Sequence, residues 1–418
     1  MKIVHIGTAD TDGGAAKASY ALHKSLLALG HDSRMVVGYK YSNDAEIDSV
    51  WFNRGKIRRR LHQLFIGKAE EITGLQSLIQ PFRSVFLRHP FVRGADIIHL
   101  HNLHGNFFSH TILPKLSALA PLVWTIYDMW PMTGHCTYPG MYDCEKWKTG
   151  EDKCPALFDY PPIQRDTVAY LAKRKKEAYA MSKPHFVGPS KWMCETAKKS
   201  LLLGNFDVSY IAQGIDTDIY HKEDKKTARK ELGLPLDAQV IMVIALRNAS
   251  RKGLSYVLDS LQYLKRHPRP LIFAVGSRGL VEPFVADFPV KEIDYINSER
   301  LLNTCFVASD IFVLPTLADN LPLTILDSLG AGTPVVSFDV NGVHEIVRHM
   351  ETGYLARYKD PRDLACGIDL LLQDDDLRNK MSQCAQQMII SEYSIRQQAM
   401  NYVRLYEQRI VSRRSIQN

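Results

Sequence analysis

A chain of 418 residues that is 45% hydrophobic and 23% charged has an ordinary globular composition, which excludes wholesale disorder. At roughly 150 residues per domain it should hold two or three domains. A formal charge of +7 is too mild for a nucleic-acid coat, so no nucleic-acid partner is expected. No run of about 18 apolar residues is present to span a bilayer. The first residues, Met1 to Gly7, reach glycine too early for a signal-peptide core, and the odd count of seven cysteines suits free thiols. A cytoplasmic protein is the expectation.

Short, nearly continuous apolar runs predict strands over 2–6, 34–37, 96–100, 122–126 and 185–187, with helices over 15–29, 163–181 and 191–202 between them. The alternation resumes with strands over 240–246, 271–275, 311–314 and 334–338, and helices over 254–265, 299–308, 324–329 and 377–390. This pattern predicts an α/β fold of two doubly wound parallel-sheet domains, Rossmann-like, facing a central cleft. The seam falls near Gln213-Gly214-Ile215-Asp216, where the first set ends and a charged stretch from His221 to Glu231 begins. A last helix over 394–410 carries Tyr402, Leu405 and Tyr406 on one side. Residues 53–93 stand outside the scheme, with nine Lys/Arg against Glu70 and Glu71 and apolar residues at helical spacing. They read as a basic surface helix pair or as a contact with anionic lipid headgroups.

Three motifs carry chemistry. Gly13-Gly14 follows the first strand and opens a helix, which is either a plain tight turn or a loop letting backbone approach a phosphate. The pattern is not GxGxxG, which disfavours a NAD site. Arg247 and Lys252, before Gly253, lie just beyond a strand end, where two cations can neutralise a diphosphate. In the strongest block a strand at 311–314 ends in a loop with Asp319 and Asn320, and a helix begins near Pro322 with Asp327 inside it. The N–H groups of Leu321, Leu323 and Thr324 are expected to face an anion, and carboxylates beside them suit sugar hydroxyls.

Taken together, in this order, these motifs resemble the GT-B glycosyltransferases of family 4. The segment Trp124-Thr125-Ile126-Tyr127-Asp128-Met129-Trp130 through His135-Cys136 is similar to the subgroup that assembles colanic acid and related exopolysaccharides. The resemblance implies retaining transfer of a sugar from a UDP- or GDP-sugar to a lipid-linked glycan acceptor in surface polysaccharide biosynthesis. No cofactor or obligatory metal is implied. Residues 1–213 would form the acceptor-side domain, 214–393 the nucleotide-sugar domain, and 394–418 a helix crossing back to the first. By the same resemblance Arg247 and Lys252 hold the diphosphate, Asp319 a donor sugar hydroxyl and Asp327 the ribose. Gly13 and Gly14 close over the phosphates, and Ile293 to Tyr295 lie by the base. His101, Asn102, Tyr127, Asp128 and His135 would touch acceptor or sugar, on the cytoplasmic face of the inner membrane.

The chain departs from the family where Asp327 replaces the usual Glu and Tyr127 the usual His. Cys136, Cys144 and Cys154 fall within nineteen residues and suit free thiols, or a structural zinc completed by His135 or Glu151. His99 reads as core. Two other functions stay open: a nucleotide-sugar epimerase or hydrolase of the same fold, and a non-catalytic nucleotide-sugar-binding subunit.

Overall fold

The computed structural model describes the chain except residues 51–54, 81–82, 151–152, 248–249, 266 and 418 and the side chains of 55–63, 416 and 417. It divides into two compact units, residues 1–213 with 396–418, and residues 214–395.

The first unit holds a parallel sheet of β1 (Lys2–Ala9), β2 (Asp32–Tyr39), β3 (Ile47–Ser49), β4 (Ile97–Leu100), β5 (Leu122–Thr125), β6 (His185–Gly188) and β7 (Val208–Tyr210). Their order is β3-β2-β1-β4-β5-β6-β7. Central strands have both faces covered: Val4, Ile6, Ile98, Leu100, Trp124 and Phe186 pack with Leu113, Leu116 and Tyr179 from the helices Leu113–Leu119 and Val168–Ser182. The helix Ile395–Gln417 belongs to this unit for nearly all its length, burying Tyr402 and Tyr406 one turn apart. The Tyr402 hydroxyl bonds Thr125 Oγ1 at 2.6 Å, and Tyr406 bonds His99 Nδ1 at 2.7 Å.

The second unit is a parallel sheet of β8 (Val240–Ala245), β9 (Leu271–Gly276), β10 (Val290–Asp294), β11 (Ile311–Val313), β12 (Val335–Phe338) and β13 (Gly353–Ala356). The order is β10-β9-β8-β11-β12-β13. Val243, Ala274, Val313 and Val336 form its centre with Ile368, Leu371 and Met381. Both sheets reverse their winding beside their first strand, between β1 and β4 and between β8 and β11. The crevice beyond the carboxyl ends of such a pair is where this architecture takes ligands.

The expected helices appear with shifted ends. The one foreseen from 163 starts at Val168, because Pro161 and Pro162 stop earlier helical turns and Asp166 Oδ1 accepts the Val168 amide at 3.2 Å. The charged stretch before β8 is not simply linker: Lys225–Glu231 is helical, capped by Asp224 accepting the Thr227 amide at 2.8 Å. In the basic segment the helix Gly55–Thr73 turns Leu64 and Phe65 outward, 61% and 69% exposed, and buries Glu70. Asn53, Arg54 and Phe82 lie outside the described residues.

Candidate functional site

In the second unit, β8 and β11 are neighbours, with Val243 opposite Val313, although 70 residues separate them in the chain. Their carboxyl ends therefore bring two distant loops together. From the first, Lys252 Nζ reaches Asp319 Oδ2 at 2.7 Å, and from the same short turn Arg251 reaches Asp319 Oδ1 at 2.6 Å. Thr316 Oγ1 donates to Asp319 Oδ2 at 3.1 Å or to the Arg251 carbonyl at the same distance. Burial alone would raise the Asp319 carboxyl, but Lys252 and Arg251 outweigh it and hold it at about 2. Burial pulls Lys252 below the ordinary lysine range against the attraction of Asp319.

Gly253 permits this turn. Its φ is +74°, and a Cβ there would run into the Pro315 carbonyl. Sequence reasoning missed Arg251; the signal was there in Arg251-Lys252-Gly253, but spacing from the strand end favoured Arg247. Arg247 is exposed at the end of β8, its amide donating to Ser277 Oγ at 3.4 Å.

The loop after β11 buries Asn320, Leu321 and Pro322 and leads into the helix Leu323–Gly330. No side chain caps that helix, so the Leu323 and Thr324 amides, lacking intrahelical acceptors, leave positive potential beside Lys252 and Arg251. Asp327 is buried further along, and its carboxylate lies near Tyr220, where burial and then Asp327 push the phenol up. Asp327 is thus not in the Lys252–Asp319 cluster. Ile293 is half-buried in β10, and Tyr295, half-exposed, follows the carboxyl end of that strand, which pairs Asp294 with Gly276. The Asp216-Thr217-Asp218 triplet serves a local turn, Asp216 Oδ1 accepting the Asp218 amide at 2.9 Å.

In the first unit Gly13 precedes the helix Gly14–Ala28 at φ +92°, and a Cβ on Gly13 or Gly14 would meet no atom within 4 Å. Buried Asp10 shapes the approach by accepting the Tyr41 and Ser42 amides, each at 2.9 Å. At the neighbouring strand ends Asn102 donates to Asp128 Oδ2 at 3.1 Å, and His104 Nε2 bonds the same oxygen at 2.9 Å. Asp128 Oδ1 accepts the Trp130 amide at 2.9 Å. His104, absent from the sequence-derived site, belongs to this cluster. Behind it the buried Lys175 donates to the Trp130 and Thr133 carbonyls at 2.7 and 3.0 Å and lies 3.5 Å over the Trp130 ring.

Two histidines expected to touch ligand instead face inward. His101 is buried, its Nε2 2.9 Å from His5 Nδ1, and burial lowers it to about 3. His135 is fully buried with Nε2 3.2 Å from the Ala156 carbonyl, and burial chiefly lowers it to about 4. Tyr127 stacks on His101 with centroids 5.8 Å apart.

Among the described residues the one metal-sized group is His5, His99 and His101, not Cys136, Cys144 and Cys154, and Glu151 lies outside those residues. His99 spends its nitrogens on Thr125 and Tyr406, at 2.7 Å each, while His5 bonds His101 and Ser33. The trio is explained by a hydrogen-bond chain.

Residues 224–388 match the family model described as glycosyl transferases group 1. The second unit thus carries a group 1 glycosyl transferase domain, and the two parallel sheets have the fold of the GT-B glycosyltransferases. Among curated proteins the chain is similar to the putative colanic acid biosynthesis glycosyl transferase WcaC of Escherichia coli K12, 25% identical, covering 83% of this chain and 85% of that one. Among solved structures it is similar to sucrose-phosphate synthase from Thermosynechococcus elongatus (TM-score 0.70, 15% identity, 99% of this chain and 100% of that one). It is also similar to Anabaena Alr3699/HepE in complex with UDP and glucose (TM-score 0.66, 15% identity, 98% and 100%). No described helix is long and apolar enough to cross a membrane.

Proposed function

We propose that the protein transfers a sugar, with retention, from a UDP- or GDP-sugar to a lipid-linked glycan acceptor during surface polysaccharide assembly. The observation that carries the reading is the convergence of Lys252 and Arg251 on Asp319 beside an uncapped helix start. Cations and free amides suit a diphosphate, and the carboxylate suits a sugar hydroxyl. Arg247 extends the positive rim, Asn320 to Leu323 supply backbone, and Asp327 serves the ribose. Ile293 and Tyr295 flank the base. These cations supply the charge the leaving diphosphate needs, so the reading requires no metal or cofactor.

In the reaction the anomeric carbon–oxygen bond to the diphosphate breaks as the acceptor oxygen bonds to the same face. The acceptor proton passes to the leaving phosphate oxygen. Residues 1–213 take the acceptor, with Asn102, Tyr127 and Asp128 nearest it. WcaC's description supports a polysaccharide product, and the UDP complex of HepE supports the donor class. Leu64 and Phe65, exposed beside Lys68, support work at the cytoplasmic face of the inner membrane.

Calorimetry against UDP and GDP tests the reading. One nucleotide should bind, and Lys252→Ala should weaken it while cutting kcat/KM about 10²-fold. Equal binding by wild type and variant removes Lys252 from the diphosphate site.

A further inference from the structure

A second cationic site lies wholly in the first unit, apart from the donor loops. A cavity of about 270 Å³ is lined by Arg83, Lys115 and Arg174, the hydroxyl residues Ser84 and Thr111, and an apolar wall of Leu87 and Ile112. Three separate segments supply the cations: the turn before the helix Ser84–Arg88, the helix Leu113–Leu119 and the helix Val168–Ser182. Arg83 donates to Thr111 Oγ1 at 3.4 Å, tying two of these walls together.

Three positive side chains around one small cavity repel each other unless an anion sits among them. Their charge is only partly answered. Arg174 pairs with Glu177 at 2.5 Å through one nitrogen, leaving other guanidinium donors, and Lys115 has no ion-pair partner among the described residues. Two arginine forks, one mobile ammonium and two hydroxyls are the donor set of a tetrahedral oxyanion with several acceptor oxygens. A carboxylate would leave part of that set unused. The apolar wall of Leu87 and Ile112 suits the carbon side of an ester. We propose that this cavity is a binding site for a phosphate group. The inference goes beyond the donor reading and does not rest on it.

Two sources share this chemistry, a soluble phosphate compound and the headgroup of an anionic lipid, and the experiment separates them. Inorganic phosphate is titrated by calorimetry into the full chain carrying Lys252→Ala, which removes the donor-side cation. In parallel, co-sedimentation is measured with vesicles of phosphatidylglycerol and phosphatidylcholine against phosphatidylcholine alone. Lys115→Ala and Arg83→Ala, both at exposed positions, are each added, with thermal melting to show that the fold is kept. Each lost charge should weaken binding about fivefold, more at low salt than at high. Loss of phosphate binding with unchanged sedimentation assigns the site to soluble phosphate compounds. Loss of sedimentation on the anionic vesicles alone assigns it to headgroups. Affinities unchanged in both arms, or no binding of either probe, overturn the site. Because every variant retains the Lys252→Ala background, failure here leaves the donor reading untouched.

Discussion

At Asp319 one carboxylate answers two cations, and any diphosphate arriving there must compete with it. Asp319→Asn keeps the shape of the side chain and removes the competitor, so UDP or GDP should bind about tenfold more tightly, the size of one charge-assisted hydrogen bond. Sugar transfer should fall by about 10²-fold or more if the carboxylate also holds the donor hydroxyl. The same change leaves Lys252 and Arg251 without their buried partner, at a cost of about 3–5 kcal/mol to the second unit. Calorimetry, transfer assays and thermal melting with and without nucleotide read all three effects. Weaker nucleotide binding by the variant would show that Asp319 orients the cations rather than competing for them. Lys252 and Asp319 were legible in sequence because each follows a strand end and precedes a glycine turn or helix start. The burial of His101 and His135 was not legible, because polarity near a strand end or in a loop does not reveal it. His101 closes a chain with His5, which is 96 residues away.

The C-terminal helix shows the same logic one level up. Tyr402 and Tyr406 are fully buried, and their hydroxyls join a chain running through Thr125 and His99. Tyr406→Phe leaves His99 Nδ1 without its partner in the interior and should destabilise the first unit by about 1–3 kcal/mol. Tyr402→Phe should cost less, about 1 kcal/mol, because Thr125 Oγ1 keeps its 2.7 Å contact with His99. Urea unfolding of the two variants checks the order, and equal costs would mean that ring packing alone sets the helix in place. At this scale the strands also show what sequence patterning can reach. Nine central strands were anticipated; β3, β7, β10 and β13 were not, and all four are sheet edges. Each is partly exposed, and β7 and β10, Val208-Ser209-Tyr210 and Val290-Lys291-Glu292-Ile293-Asp294, lack the continuous apolar run of a strand covered on both faces, whereas β13, Gly353-Tyr354-Leu355-Ala356, is apolar and was simply passed over.

The two units should respond to acid differently, because the perturbed imidazoles are all in one of them. Burial is the leading cause in each: it holds His5 and His99 well below the usual range, His101 and His110 at about 3, and His23, His135 and His185 at about 4. A depressed histidine favours the neutral folded state. Its contribution is therefore complete above the unfolded value of about 6.5 and is lost as pH falls below it. Each such group removes about 1.4 kcal/mol per pH unit in that window, so several together exhaust the ~5–15 kcal/mol of an ordinary domain within about two units. Glu70 acts in the opposite sense. Burial raises it to about 7, so it gains stability as pH falls from there, but it stands alone against the lowered histidines, which also include His31 and His89. In the second unit the acid-sensitive groups are depressed carboxylates: Asp319, held at about 2, and Asp310 and Asp363, both lowered. Their contribution persists down to the ordinary carboxylate range, near pH 4, and is lost only below it. Acid unfolding should accordingly proceed in two steps, with the first unit failing between about pH 6 and 4 and the second below that range. The chain provides its own probe, since all five tryptophans, Trp51, Trp124, Trp130, Trp147 and Trp192, lie within residues 1–213. Tryptophan fluorescence should change first while much of the far-ultraviolet circular dichroism remains. A single coincident transition below pH 4 would mean that the buried imidazoles are protonated without loss of the fold, and that the histidine chain does not govern the stability of the first unit.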